Sequence, residues 1–192
     1  MTKVEQKQRR RRAEILLKLL PVLETRTLDE LSVEDICGIA GISVGSFYHY
    51  FEKKTDILAA LFTRTDTYME ETAFPLLTGG DELENIRIFA REWLKFNESD
   101  GPERSKMIAD IKVTDQSLRG EVRSPIRVLT EQIESGQRKG LIADDLSAER
   151  LSTMFFIALR GLGLDWTRRE GSYSLTEYGE DYIDLMIKAM KK

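Results

Sequence analysis

Apolar residues recur at three- and four-residue spacing along almost the whole chain, and no stretch alternates apolar and polar residues as a β-strand would. The pattern predicts a helix over about 8–23 and two short helices within segment 31–54. Further helices are predicted from 56 toward 69, over about 81–97, around 107–111, from 147 through 166 and from 174 through 190, and one more is ended by Gly140. The helix before Gly140 starts either near Leu118 or at Ser124, where the following proline suits a first helical turn. The chain is therefore predicted to be all-α.

Segment 31–54 has the pattern of two short helices joined by a tight turn. Ser32 stands at a helix N-cap, and Asp35 three residues later completes a capping box. Gly41 suits the sharp turn, and Ser43 caps the second helix. This arrangement predicts a helix-turn-helix, whose second helix enters the DNA major groove. An ordinary helical hairpin with a buried seam is the alternative.

The second helix of this motif has one apolar side, formed by Phe47 with Tyr50 or Phe51. Its other side carries small or hydrogen-bonding groups, as a surface that reads base edges requires. The candidate DNA-binding residues are Ser32, Val33, Ser43, Val44, Gly45, Ser46, Tyr48, His49, Lys53 and Lys54.

The net charge of −4 is unevenly distributed along the chain. Residues 1–54 contain 10 Lys and Arg against 8 Asp and Glu, and the remainder contains 19 against 25. Basic residues cluster beside the motif, at Lys7, Arg9, Arg10, Arg11, Arg12, Lys53 and Lys54. A locally basic face attracts phosphates even on an acidic protein, because salt screens distant charges. The alternative for residues 9–12 is a solvated tail.

Four runs carry a resemblance to a known family: Val33-Glu-Asp-Ile36, Ala40-Gly-Ile-Ser43, Gly45-Ser-Phe-Tyr48 and Tyr50-Phe51-x-x-Lys54. They resemble the DNA-binding domain of the TetR family of bacterial transcriptional repressors. The resemblance is close over about 32–61 and weak beyond. The chain departs from the family pattern by lacking a glycine between the first two helices and by carrying Pro21 inside the first. The length and straightness of that helix are therefore left open.

The resemblance implies a helix-turn-helix DNA-binding domain of three helices over residues 1–54. It implies a larger helical bundle over residues 55–192, for effector binding and dimerisation. The last two predicted helices carry broad apolar stripes, which complete one core or are shared between two subunits. The resemblance favours a homodimer through these helices, with interface residues Leu151, Phe155, Leu162, Trp166, Tyr178, Ile183, Met186 and Met190.

The bulky residues of the middle helices either form a plain core or line a ligand pocket. The resemblance favours a pocket, with candidate lining residues Tyr68, Phe89, Trp93, Phe96, Met107, Ile111, Phe155 and Leu159. Few of them are polar, so the predicted ligand is a small apolar or aromatic effector. Periodicity places the neighbouring Arg91 and Glu92 mostly outward, which leaves the polar partner of such a ligand unidentified.

Enzymatic constellations are missing from the sequence. The single histidine and the single cysteine, Cys37, both fall within the motif, so no metal-binding cluster of His and Cys is available. There is no glycine-rich phosphate loop, and no cofactor is expected. No apolar run reaches the length of a membrane span, which predicts a cytoplasmic protein. Cys37 is expected to be a packing residue.

The sequence therefore predicts a DNA-binding transcriptional regulator that is not an enzyme. The most concrete form of this prediction is a repressor that binds a palindromic operator as a dimer and is released by a small, mainly apolar effector. A DNA-binding protein of the same fold without a small-molecule ligand is the alternative. A helical interaction protein that never touches DNA is a third possibility, which the clustered cations disfavour.

Overall fold

The computed structural model describes residues 3–23, 25–26, 28–54, 56–102, 105 and 124–192, and for residues 3, 5, 6, 9 and 58–63 the backbone alone. Its helices in these ranges are α1 (Lys3–Leu23), α2 (Val33–Ala40), α3 (Val44–Tyr50), α4 (Asp56–Tyr68), α5 (Glu82–Asp100), α6 (Ser124–Arg138), α7 (Ala148–Arg168) and α8 (Leu175–Met190). Besides these helices, the described residues form one isolated antiparallel β-bridge, between Ile142 and Lys191. The prediction of an all-α fold is confirmed.

The helix bounds differ from the predicted ones mainly at the ends of elements. α1 begins five residues early and contains Pro21 in its last turn. A 3-10 turn, Leu28–Glu30, lies between α1 and α2. The predicted helix at 107–111 lies outside the described residues. So do residues 118–123, and the structure describes the next helix from Ser124 onward.

The chain divides into two compact units, and the boundary lies inside α4, between Arg64 and Thr65. The family resemblance implies a boundary after residue 54. In the first unit, α1 contributes Ile15 and Leu19 to a core that also contains Ile36 from α2 and Phe47 from α3. All four side chains are at most 1% exposed, so these three helices share one apolar centre.

The second unit is built around α5, which contacts α6, α7 and α8. Its buried side chains include Phe89, Trp93 and Leu94. The backbones of α5 and α8 approach closely at Gly179, where an added Cβ would overlap the Leu94 Cδ1 atom. Glu98 strengthens the same contact, because its carboxylate accepts the Leu175 N–H at 2.8 Å at the start of α8.

Two ion pairs continue this contact along the outer surface of α5 and α8. The Arg91 guanidinium donates to both carboxylate oxygens of Glu180, over 2.5 and 2.8 Å. One turn away, Arg87 pairs with Asp184. The bidentate Arg91–Glu180 pair is partly exposed, so it adds little to the free energy of unfolding. Its fixed geometry mainly sets the relative positions of the two helices.

α4 ends in an irregular stretch. A π-helical turn, Met69–Ala73, follows Tyr68, and a 3-10 turn, Phe74–Leu76, follows in sequence. The predicted helix reached only toward Met69, so the π turn was not foreseen. Met69 and Ala73 are both fully buried in the core of the second unit.

None of the described helices is long and apolar enough to cross a membrane.

We expect Gly179→Ala to lower the free energy of unfolding by about 1–3 kcal/mol, because the new methyl group would overpack the contact with Leu94. Gly38→Ala on α2 is the control. No described atom lies within 4 Å of its added Cβ, so greater helix propensity should stabilise the protein by about 0.5–1 kcal/mol. Urea unfolding measures both changes. Equal effects of the two substitutions would contradict the close approach.

Candidate nucleic-acid interface

The turn between α2 and α3 is built from local hydrogen bonds. Ser32 Oγ accepts the Asp35 N–H at 3.0 Å, and the Asp35 carboxylate accepts the Ser32 N–H at 2.9 Å. Hydrogen bonds from the Ser32 side chain and backbone lower the pKa of Asp35. Gly41 ends α2 in the left-handed conformation, with φ 68° and ψ 43°, which suits glycine. The predicted capping box and glycine turn are therefore both present.

α3 is held at its N-terminus and along its inner side. Ser43 Oγ accepts the Ser46 N–H at 3.1 Å, and the two serine hydroxyls lie 2.9 Å apart. Phe47 is completely buried, and its ring centroid lies 5.2 Å from that of Phe51. The orientation of α3 is thus fixed by one buried aromatic residue and one cap.

The outer side of α3 is open to solvent. Val44 is 39% exposed and Tyr48 is 55% exposed. Gly45 and His49 are also exposed, whereas Val33 and Ser46 are half-buried. This face offers a methyl surface, a phenol hydroxyl and an imidazole, which are groups that contact thymine methyls, base edges or phosphates. Cys37 is buried, and burial raises the pKa of its thiol.

The two lysines after α3 occupy different surroundings. Lys53 is exposed, and its backbone N–H donates to the Asp56 carboxylate at 3.0 Å. Lys54 is half-buried, and its Nζ donates to the carbonyls of Leu31 at 3.0 Å and Asp29 at 3.3 Å. At most one of the three Nζ donors therefore remains for a phosphate, and a phosphate contact by Lys54 stays a prediction.

Basic residues of α1 also have partners within the first unit. Arg12 Nε donates to the carbonyl of Tyr50 at 2.7 Å, and Lys18 Nζ donates to the carbonyl of Ala40 at 2.8 Å. Arg11 pairs with Glu14 on the same helix. The sequence gives no signal for the first two bonds, because they join residues 38 and 22 positions apart.

The residues predicted for a dimer interface lie mostly inside one chain. Five of the eight are at most 7% exposed within the chain's own core: Phe155, Leu162, Trp166, Ile183 and Met190. Two more, Leu151 and Met186, pack half-buried against the same core. Side chains already enclosed by their own chain offer little surface to a second one. Of the eight, Tyr178 alone is largely exposed, at 60%.

The outward faces of the same two helices carry other apolar side chains. Met154 and Ile157 on α7 are each 53% exposed, and Leu185 on α8 is 67% exposed. We call these three residues with Tyr178 the outer apolar face. Periodicity could have revealed it, because residues 154 and 157 lie one turn apart and residues 178 and 185 two turns apart.

Four of the residues predicted to line a pocket belong to the core of the second unit: Phe89, Trp93, Phe155 and Leu159. Phe96 is 7% exposed, and its ring centroid lies 5.0 Å from that of Tyr68, which is half-buried. Met107 and Ile111 lie outside the described residues. Whether these side chains line a pocket stays a prediction.

Glu92 was expected to face outward and instead is buried, with 6% exposure. It accepts the Tyr68 hydroxyl at 2.6 Å and the Lys95 Nζ at 2.9 Å. Burial raises the pKa of Glu92, but these two hydrogen bonds outweigh it and the net change is downward. Burial and the bond to Glu92 raise the pKa of Tyr68 to about 12.

The burial of Glu92 had a signal in the sequence. It lies three residues after Phe89 and four before Phe96, on the side of α5 that both rings define. Its carboxylate is a buried polar group beside these aromatic residues.

Two capped helices joined by a left-handed glycine, with the outer side of the second helix exposed, form a helix-turn-helix, the arrangement with which many proteins bind DNA. Residues 19–61 match the family model described as bacterial regulatory proteins, tetR family. The chain is 22% identical to the HTH-type transcriptional repressor BepR of Brucella suis biovar 1 (strain 1330), over 94% of this chain and 91% of BepR.

Solved structures agree in fold. The transcriptional regulator FadR from Bacillus subtilis, in complex with stearoyl-CoA, aligns with a TM-score of 0.75 and 16% identity over 92% of this chain and 98% of FadR. NalD, the secondary repressor of the MexAB-OprM multidrug efflux pump in Pseudomonas aeruginosa, aligns with a TM-score of 0.69 and 15% identity over 100% of this chain and 99% of NalD.

The match over residues 19–61 agrees with the resemblance of this part of the chain to the DNA-binding domain of TetR-family regulators. The matching family model and BepR are both described as regulators of transcription.

Proposed function

We propose that the protein is a cytoplasmic repressor that binds a palindromic operator as a homodimer and releases it when a mainly apolar effector binds the second unit. The proposal that the protein binds DNA rests on the exposed outer side of α3. Its cap and the buried Phe47 hold this short helix in place, while Val44 and Tyr48 face solvent. A fixed helix with an exposed reading face is what major-groove recognition requires.

Dimerisation is supported by the outer apolar face on α7 and α8. Four large apolar side chains, each more than half exposed, lie on the outward sides of two helices that are buried on their other sides. When exposed apolar side chains form one contiguous patch, the patch marks an interaction surface. A second copy of the chain is the occupant that DNA recognition favours, because a two-fold dimer presents two α3 helices about 34–36 Å apart to adjacent grooves.

An apolar effector is supported by the aromatic side chains around α5 and by FadR, a protein of the same fold in complex with stearoyl-CoA. The hydrogen-bonded Tyr68 and Glu92 supply a polar group at the edge of these rings, beside Phe96. The complete burial of Phe89 and Leu159 favours the alternative, in which these residues are plain core and the regulator has no small ligand.

We expect Tyr48→Ala to lower affinity for the operator about 10- to 100-fold, because a base contact contributes about 1–3 kcal/mol of discrimination. An operator duplex is first selected from a random-sequence pool with the wild-type protein. Fluorescence anisotropy then compares this duplex with a scrambled one of equal length, and Leu76→Ala, at an exposed apolar residue of the second unit, is the control. A similar loss on both duplexes would show that Tyr48 does not read bases.

We expect Leu185→Glu to convert the dimer into a monomer, because a charge buried without a partner at the interface is strongly unfavourable. Ile157→Glu on α7 should do the same. Leu76→Glu, at a residue that is 47% exposed outside both helices, should leave the dimer intact. Sedimentation velocity measures the assembly state. If Leu185→Glu and Ile157→Glu both sediment as dimers, the interface does not lie on the outer apolar face.

We expect a long-chain acyl-CoA, tested as palmitoyl-CoA, to raise the melting temperature and to release the operator duplex. A ligand at 100 times its Kd adds about 2.7 kcal/mol to the free energy of unfolding. Free coenzyme A is the control for binding by the nucleotide part alone, and a hydrophobic aromatic cation tests the other effector class. If none of these compounds shifts the melting temperature or the DNA affinity, the regulator without a small ligand becomes the better proposal.

A further inference from the structure

Two cations of α1 lie on the last carbonyls of the two helices of the motif. Arg12 Nε donates to Tyr50, the final residue of α3, and Lys18 Nζ donates to Ala40, the final residue of α2. The two distances are 2.7 and 2.8 Å, which are short for bonds between nitrogen and a carbonyl oxygen and typical of charge-assisted donors. Each helix of the motif is thus held at its C-terminus by a charge from outside the motif.

This placement has a physical reason. The last carbonyls of a helix lack partners within it and carry partial negative charge, so a cation stabilises them. α3 has only seven residues, and a helix of two turns has little stability of its own. Its cap and Phe47 fix the start and the middle of the helix. The bond from Arg12 fixes its end.

Arg12 also covers the aromatic residue next to that end. Its guanidinium carbon lies 5.9 Å from the ring centroid of Phe51, which is 2% exposed and packs against Phe47. The guanidinium therefore contacts both the last carbonyl of α3 and the aromatic residue that follows it. These two contacts restrict how far the C-terminal end of α3 moves relative to α1.

We propose that Arg12 is a positioning residue for base reading, and that Lys18 supports it in the same way through α2. This inference rests on the proposed function. Contacts to base edges depend on hydrogen-bond geometry, so a small displacement of α3 weakens them. Attraction to phosphates depends mainly on charge and distance and is insensitive to such a displacement. Loss of the Arg12 contact should therefore reduce sequence preference more than general affinity for DNA.

The test uses Arg12→Met in the full-length protein, with Arg10→Met as the matched control on the exposed side of the same helix. The probes are the duplex selected with the wild-type protein and a scrambled duplex of equal length. We expect Arg12→Met to lower operator affinity about tenfold, which corresponds to about 1.4 kcal/mol. Affinity for the scrambled duplex and the slope of log K against log salt should stay at wild-type values.

Each other result overturns the inference. A slope that falls by about 0.9 per lost contact, about two for a dimer, together with weaker binding of both duplexes, identifies Arg12 as a phosphate contact. Unchanged affinity for both duplexes shows that its bond to Tyr50 does not position α3. Circular dichroism checks the fold. If Arg12→Met does not fold, Lys18→Met is judged by the same criteria.

Failure of the proposed function would give a different experimental result. If the wild-type protein selects no sequence from the random pool, base reading itself is absent. If the wild-type protein has a preferred duplex and Arg12→Met retains the full preference, only the positioning role is lost. A purely structural role would lower the melting temperature without changing the ratio of operator to scrambled affinity, and that ratio is therefore the deciding quantity.

Discussion

The burial of Phe47 is the contact on which the DNA-binding unit depends. α3 is too short to be stable alone, and Phe47 is its one fully buried side chain. Val44 and Tyr48 on the outer side of α3 remain exposed and are available for recognition. The serine cap, the glycine turn and Arg12 then remove the remaining freedom of α3, each at a different point.

Under the proposed function, the second unit must stay folded while it offers a surface to a second chain and binds a ligand. The close approach at Gly179 and the Glu98 cap hold α8 against α5 from one side. These contacts keep α8 packed on α5 while Tyr178 and Leu185 on its opposite side are exposed. The Tyr68–Glu92 hydrogen bond is one of several buried polar contacts inside this unit. If the proposed ligand enters beside it, the ligand exchanges one hydrogen bond for another.

Local features were predictable from the sequence, and distant pairings were not. Ser32, Asp35, Gly41 and Ser43 act within four residues of themselves, so their spacing alone identifies the motif. Helical periodicity shows that α7 and α8 carry apolar stripes, but both an inward and an outward stripe exist and periodicity does not say which one the chain encloses. That is why Ile183 was assigned to a dimer interface and lies in the core. The partners of Arg12 and Lys54 required the folded chain.

The electrostatics of the first unit change once those partners are known. Clustered cations near a motif suggest general attraction to phosphates, yet Arg12, Lys18 and Lys54 each donate to a backbone carbonyl of the unit itself. A charge that bonds to a carbonyl still contributes to the field around the protein, but its geometry is fixed by the fold and not by DNA. With a net charge of −4 over the whole chain, general affinity for DNA is not the property that this arrangement favours. It favours a rigid α3, so that under the proposed function the preference for one sequence comes from the fixed geometry of this helix more than from the number of phosphate contacts.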